Sequence, residues 1–333
     1  MKPDINFDIP AQFARLQQAV SLSRLSRCRI IGSGLGGSRS GFESLARSGV
    51  MNHTFIDGDT YCTENIATQH CFHDEVGTPK VVATAAAIRR INPQAQVRPL
   101  VKWLDEISDA EFADLIAEPV QVRDQAGNII WEGPAETTLL CGFTDSFEAQ
   151  ARINRLALQF GIPSICAQMY HEGRGAEITF TLPGITPACH RDSLAGRYRA
   201  YLEQGFKNDV TSHGTPLCST NRLNSLVETL ALAILHHGSG HERWERLIER
   251  IGTRSLVQIR MDPDIGTSLG LAVFERVLGG GDTDRLVTDE TVWLPQAADS
   301  PEGNGYPLCP DCGGTGELGN AKGTFADTRI MRQ

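Results

Sequence analysis

A mainly parallel α/β fold is predicted by three features of this 333-residue chain. An apolar strand at Cys28 to Ile31 runs into a glycine turn, Gly32 to Ser38, then a helical pattern to about Arg47 and a second strand, His53 to Ile56. Strand, glycine turn, helix, strand is a βαβ unit, and such units join parallel neighbours. Secondly, helix-period and strand-period segments keep alternating beyond it. Thirdly, 41% hydrophobic and 21% charged residues suffice for a real core. They exclude collagen, wholesale disorder and small disulfide scaffolds.

The elements follow in order. Ala11 to Arg27 reads as a polar helical segment ahead of the first strand. A helix from about Lys80 to Ile91 stops at Asn92-Pro93, and Gln96 to Leu100 is the next strand. Residues 119–133 read as an inserted hairpin, with Val120 to Arg123 and Ile129 to Trp131 flanking a turn at Ala126-Gly127-Asn128. Thr137 to Gly142 is a buried strand, Ser146 to Phe160 a helix, and Ser164 to Gln168 and Ala176 to Leu182 are strands. Then the pattern changes. Residues 190–217 are polar and loop-like, Asn221 to His237 is a strong helix, and Leu256 to Met261 is a strand. A glycine-rich loop (Gly279 to Gly281) and a tail containing Cys309-Pro-Asp-Cys312 complete the chain.

Charge and hydropathy narrow the partners. Against 31 Lys+Arg stand 40 Asp+Glu, a net charge of -9, which argues against a dedicated binder of nucleic acid or anionic membrane. The most apolar stretch, Leu226 to Leu235, contains Glu228 and is far shorter than the ~18 to 20 residues of a spanning helix. The start, MKPDINFDIP, lacks the apolar centre of a signal peptide, so a cytoplasmic protein is expected. Of nine cysteines, Cys28, Cys141 and Cys166 sit in apolar runs as packing thiols.

Gly32-x-Gly34-x-x-Gly37 follows a strand and opens a helix, the context in which glycines permit a tight turn and close phosphate approach. Asp57 and Asp59 lie about 20 residues on, where a carboxylate accepts from ribose hydroxyls. A nucleotide site of Rossmann-like type follows, and NAD enzymes share these residues. The next block separates the readings: Asn65, Gln69, Lys80 and then Asp145. Amides can hold a triphosphate, and a lysine can neutralise charge building on the α-phosphate. Asp145, at the carboxyl edge of a buried strand, suits Mg²⁺ or, as an alternative, caps the following helix.

Cys309-x-x-Cys312 supplies two of four tetrahedral zinc ligands or, alternatively, a redox pair. Cys218, in Thr215-Pro-Leu-Cys-Ser-Thr220, directly precedes a helix, where unpaired amides stabilise a thiolate. Packing at a helix cap is the other reading. Cys62 and Cys71 read as local packing, and His236, His237 and His241 as a solvated helix end.

The strings GSGLGGS, FIDGDTYCTENIATQ, EVGTPK, RINPQAQV and FTDSF with Ile153-Asn154 resemble the ThiF/MoeB-type activating enzymes, which adenylate the C-terminus of a ubiquitin-like protein. The resemblance covers roughly residues 25–190 well and 215–315 weakly. It implies a ThiF/MoeB-type adenylation domain, with antiparallel strands continuing the parallel sheet and a zinc knuckle in the C-terminal portion. The implied division is an N-terminal helical segment (1–27), an ATP-binding core (28–190), and a crossover loop, helix, antiparallel strands and tail (191–333). Gly32, Gly34 and Gly37 would line ATP, and Asp59 would hold the ribose. Asn65 and Gln69 would approach phosphate, Lys80 assist attack, and Asp145 bind Mg²⁺. Cys189 and either Asp192, the expected fourth ligand, or His190, in the place of a second Cys-x-x-Cys, would complete the zinc site.

Two family arginines are missing. Thr68 stands directly before Gln69 where the family has Arg, and the N-terminal Arg-Tyr-x-Arg-Gln string is absent. Arg15, Arg24, Arg27 and, two residues after the glycine turn, Arg39 are the candidate substitutes. The resemblance further implies a thioester on Cys218, a sulfur-carrier or ubiquitin-like partner, a downstream conjugating or sulfur-transfer protein, and a homodimer. An NAD(P)-dependent oxidoreductase and a catalytically degenerate nucleotide-binding scaffold are the alternatives.

Overall fold

The computed structural model describes residues 11–205, 214–262, 290–296 and 309–313. The expected N-terminal helix is instead a 3₁₀ turn, Ala11–Phe13, and one short helix, α1 (Leu22–Leu25). Val20 and Leu22 are both buried, yet residues two apart face opposite sides of a helix. The helical path breaks between them, at Ser21, whose backbone is extended (φ -86°, ψ 95°).

Strand β1 (Arg29–Ser33), helix α2 (Arg39–Arg47) and strand β2 (Asn52–Ile56) form the βαβ unit. Helices α3 (Asn65–Thr68) and α4 (Lys80–Ile91) and strand β3 (Gln96–Leu100) follow. Helix α5 (Asp109–Ala117), absent from the sequence reading, is fixed by a reciprocal cap. Ser108 Oγ accepts from Glu111 N at 3.2 Å, and the Glu111 carboxylate accepts from Ser108 N at 2.8 Å. Strands β4 (Val120–Arg123) and β5 (Ile129–Gly133) make the separate hairpin that was expected.

The chain continues with β6 (Thr138–Gly142), α6 (Phe147–Phe160), β7 (Ser164–Tyr170) and β8 (Gly175–Thr181). Ser146, and not Asp145, caps α6, its Oγ accepting from Ala149 N at 3.2 Å. The stretch read as loop carries α7 (His190–Ser193) and α8 (Ala195–Glu203), because Leu194 and Tyr198 bury against Phe147 and Leu256. Helices α9 (Leu217–His236) and α10 (Glu242–Ile251) and strands β9 (Leu256–Arg260) and β10 (Glu290–Leu294) complete the described elements. Residues 206–213 of the expected crossover loop and the Gly279 to Gly281 loop lie outside the described residues.

The sheet order is β10-β9-β8-β7-β6-β1-β2-β3. From β3 to β7 neighbours are parallel, and from β7 to β10 antiparallel, as the sequence implied. Period-two alternation splits the core: Ile30, Phe55 and Leu139 face a layer containing residues of α2, α4 and α9, whereas Ile31, Ile56 and Leu140 face α5 and α6. Among the described residues no helix is long and apolar enough to cross a membrane.

The histidines at the end of α9 correct an expectation. His236 is fully buried, stacked on Trp244, with Nδ1 bonded to Leu232 O at 2.7 Å and Nε2 accepting from Ser21 N at 2.9 Å. It therefore ties α1 to α9 in its neutral form. Burial pulls its pKa down to about 4, and does the same to His53. Because the folded values lie below the usual 6.5, these imidazoles contribute stability that is full above about pH 6.5 and lost as pH falls toward 4. Urea unfolding between pH 7 and 4 is expected to show that loss, up to about 3 kcal/mol per imidazole. His236→Gln is expected to start less stable but to show a shallower fall.

Candidate nucleotide site and cysteine cluster

Adjacent parallel strands whose connections leave in opposite directions open a crevice at their carboxyl ends. Here that point lies between β1, whose chain continues to β2, and β6, whose chain continues to β7. A cavity of about 550 Å³ occupies it, bordered by the glycine turn, Asp59, Gln69, Lys80 and Asp145. That volume suits a nucleotide-sized ligand.

The glycines divide the work. Gly34 has φ of +82°, and a Cβ there would lie 2.5 Å from Phe143 O, so the turn at this point admits no side chain. Gly36 abuts the Gln69 amide, and a Cβ on Gly37 would come 2.9 Å from Thr220 Cγ2. Gly32 does not border the cavity: its missing side chain admits the Phe42 ring of α2, 2.5 Å from where a Cβ would be.

The acidic pair also divides. Asp57 is buried and accepts from Leu35 N at 2.6 Å and from Asp59 N at 2.8 Å, so its carboxylate builds the site from within. Asp59 is the more open carboxylate and holds Lys80 Nζ at 2.8 Å. Asn65 does not border the cavity, and its Oδ1 accepts from Cys62 N at 3.1 Å.

The expectation for Arg39 does not match its placement. Its side chain is 1% exposed; Nε donates to Glu43 at 2.8 Å, and Nη1 and Nη2 to Glu75 at 2.6 and 2.8 Å. It clamps α2 to the 72–75 turn and does not border the cavity. Arg24 is likewise committed, to Glu136 and to the Leu235 and His237 carbonyls. Arg152, which no motif flagged, does border the cavity, held by Ile107 O and by Asp109 at 3.0 Å. Trp103 was missed as well, since a lone tryptophan after a strand carries no pattern.

Cys218 is exposed and lies in the first turn of α9, not ahead of it, and is not a cavity residue. The helix that carries it is seated on the glycine turn: Asn224 Nδ2 donates to Gly37 O and Ser40 Oγ, both at 2.8 Å.

At the other end of α6, Cys189, Asp192, Cys309 and Cys312 bring their ligand atoms within 4.8 Å of one another. Three sulfurs and one carboxylate oxygen match a tetrahedral zinc donor set. Burial, then Cys312, pushes the Asp192 carboxyl up to about 7, and Asp192 Oδ1 is buried without a partner. A cation would relieve both. His190 turns away, its Nδ1 bonded to Thr179 Oγ1 at 2.6 Å.

Removing the Asp57 carboxylate leaves two amides unpaired. Asp57→Ala is therefore expected to destabilise the chain by about 2 to 4 kcal/mol, read by urea unfolding. Asp57→Asn, which keeps one acceptor oxygen, should lose about half as much.

The sequence profile of the ThiF family matches residues 9–263. The molybdopterin-synthase adenylyltransferase of Escherichia coli is 42% identical over 106 residues, 31% of this chain and 41% of that protein. The SAMP-activating enzyme E1 of Haloferax volcanii is 28% identical over 189 residues, 52% of this chain and 62% of that protein. These matches therefore span less than two thirds of either relative. Among solved structures, Escherichia coli MccB crystallised with MccA-N7isoASN has the same fold, with a TM-score of 0.56 at 14% identity, covering 90% of this chain and 74% of MccB. With its profile running from the N-terminal turns through β9, the chain belongs to the ThiF family.

Proposed function

We propose that the protein uses ATP to adenylate the C-terminal carboxylate of a ubiquitin-like or sulfur-carrier protein. The observation that carries this reading is the meeting of Lys80, Asp59 and Asp145 with the glycine turn around one cavity. Hydride transfer has no need of that lysine and second acid. The names of the relatives, an adenylyltransferase and an activating enzyme E1, support the same class.

Backbone amides of the glycine turn and the Gln69 amide would hold the phosphates, and Asp59 the ribose. Lys80 would turn from Asp59 toward the α-phosphate. A substrate carboxylate oxygen then attacks the α-phosphorus, the bond to the pyrophosphate oxygen breaks, and an acyl adenylate forms. Catalysis rests on orientation and charge neutralisation, not on proton transfer. Asp145 offers an oxygen donor for Mg²⁺, which when bound supplies further neutralisation of the phosphates. In a second step the Cys218 thiolate would attack the acyl carbonyl and expel AMP, leaving a thioester. An external sulfur donor or amine is the alternative acceptor.

Zinc on the cysteine cluster would be structural, stapling residues 309–313 to α6. The reading includes a homodimer in the reducing cytoplasm, where thiols stay available as ligands. It also includes a downstream conjugating or sulfur-transfer protein.

A pull-down from lysate with ATP and Mg²⁺, followed by intact-mass measurement, tests the activity. Wild type is expected to carry a small protein bound in an ATP-dependent, thiol-labile way. Cys218→Ala should lose the adduct yet keep pyrophosphate exchange. Lys80→Ala should slow exchange about 100- to 1000-fold. ATP binding without any exchange would favour the degenerate scaffold instead.

Cobalt tests the cluster separately. Co²⁺ added to chelator-treated protein is expected to give thiolate-to-metal absorption. Cys309→Ser should weaken that band, and an unchanged spectrum would exclude this donor set.

A further inference from the structure

We propose that Trp103 is the platform on which the nucleotide base stacks, and therefore the residue that favours a purine over a pyrimidine; the inference rests on the nucleotide reading above. Trp103 follows β3 and borders the cavity, with its side chain 52% exposed. A tryptophan left half in solvent forgoes much of the burial that usually fixes it.

The ring is nonetheless held in one place. A Cβ on Gly58 would come 2.6 Å from Trp103 Cε2 and 2.8 Å from Nε1. Gly58 is not among the glycines with left-handed backbone, so it is the indole, not the turn, that leaves no room for a side chain. From the other side, Trp103 N donates to Glu106 Oε2 at 2.6 Å, closing the 3₁₀ turn Leu104–Glu106. The ring is packed below and its backbone is pinned.

Its position along the cavity gives the role. Gly58 separates Asp57 from Asp59, so the indole lies over the turn that carries the ribose-binding carboxylate. In a nucleotide the base and the phosphates leave the ribose on different carbons. With the phosphates at the glycine turn and Lys80, the base falls on the Trp103 side, where Ile56 and Leu104 add apolar surface. A purine covers more of an indole face than a pyrimidine does, and aromatic stacking tolerates any base while rewarding area.

The other three tryptophans do not border the cavity: Trp131 lies beside Arg27, Trp244 against His236, and Trp293 against Phe180. A ligand-dependent change in tryptophan emission therefore reports on Trp103.

Wild type, Trp103→Phe and Trp103→Ala are titrated with ATP, CTP and tripolyphosphate in Mg²⁺, by calorimetry and, for wild type, by fluorescence. ATP is expected to quench wild-type emission, and its affinity to fall about 5- to 150-fold in Trp103→Ala. Trp103→Phe should recover most of that loss. The preference for ATP over CTP should narrow in Trp103→Ala, while tripolyphosphate binds all three alike. Equal losses for ATP and tripolyphosphate would mark a structural role and overturn the proposal, as would an unchanged ATP affinity. If wild type bound tripolyphosphate but neither nucleotide, the platform would fail alone. Binding of none of the three would remove the nucleotide reading itself.

Discussion

The Asp57 carboxylate is the joint on which the site depends. One oxygen takes the Leu35 amide of the glycine turn and the other the Asp59 amide after β2. Two crossing connections, one leaving β1 and one leaving β2, are thereby fixed to each other at hydrogen-bond precision. Asp59 then passes the constraint on, since its carboxylate and carbonyl hold the side chain and the amide of Lys80. Asp57 borders the cavity, and it also sets the positions of three other residues. Such a buried acid tolerates no truncation, because each amide it serves would otherwise be desolvated and unpaired.

Two helices carry this local order outward. The start of α9 lies on the glycine turn through Thr220 and Asn224, so the exposed Cys218 rides on an element referenced to that turn. Helix α6 links the cavity to the cysteine cluster. Arg152 borders the cavity, while Asn154, two residues on, donates to Asp311 Oδ2 at 3.0 Å and accepts from His190 N at 3.1 Å. Leu158 packs directly on the three cysteines. A helix touched at both ends thus ties the cysteine cluster to the cavity.

The legible part of the chain was the part governed by local rules. The βαβ unit, the Gly127 hairpin and the stop of α4 at Asn92-Pro93 all arise from periodicity and turn chemistry within a few residues. The direction of a side chain is not local. Gly32 looks like a ligand glycine but serves Phe42 of the next helix, and Arg39 looks like a phosphate arginine but meets Glu75, 36 residues away in sequence. Helices α7 and α8 were hidden because their sequence is polar and the side chains that anchor them, among them His190, Leu194 and Tyr198, follow no apolar period. Trp103 and Arg152 were invisible because each is held at the cavity by a neighbour, Gly58 and Asp109, that no spacing rule connects to it.

Arg39 also explains how the cavity manages its charge. A guanidinium fully paired with two carboxylates offers nothing to a phosphate, and breaking a buried pair costs several kcal/mol. The cations bordering the cavity are then Lys80 and Arg152, each already holding an acid. Asp59, however, is half exposed, and an exposed carboxylate gives up a lysine far more cheaply than a buried one does. Lys80 itself is nearly buried, so its ammonium keeps a counter-charge near at every stage. In the proposed reaction, a triphosphate entering the cavity would supply that counter-charge and compete for the same Nζ. Exchanging Asp59 for phosphate would keep the lysine paired while freeing the carboxylate for ribose hydroxyls. One substitution of partners would thus ready both residues.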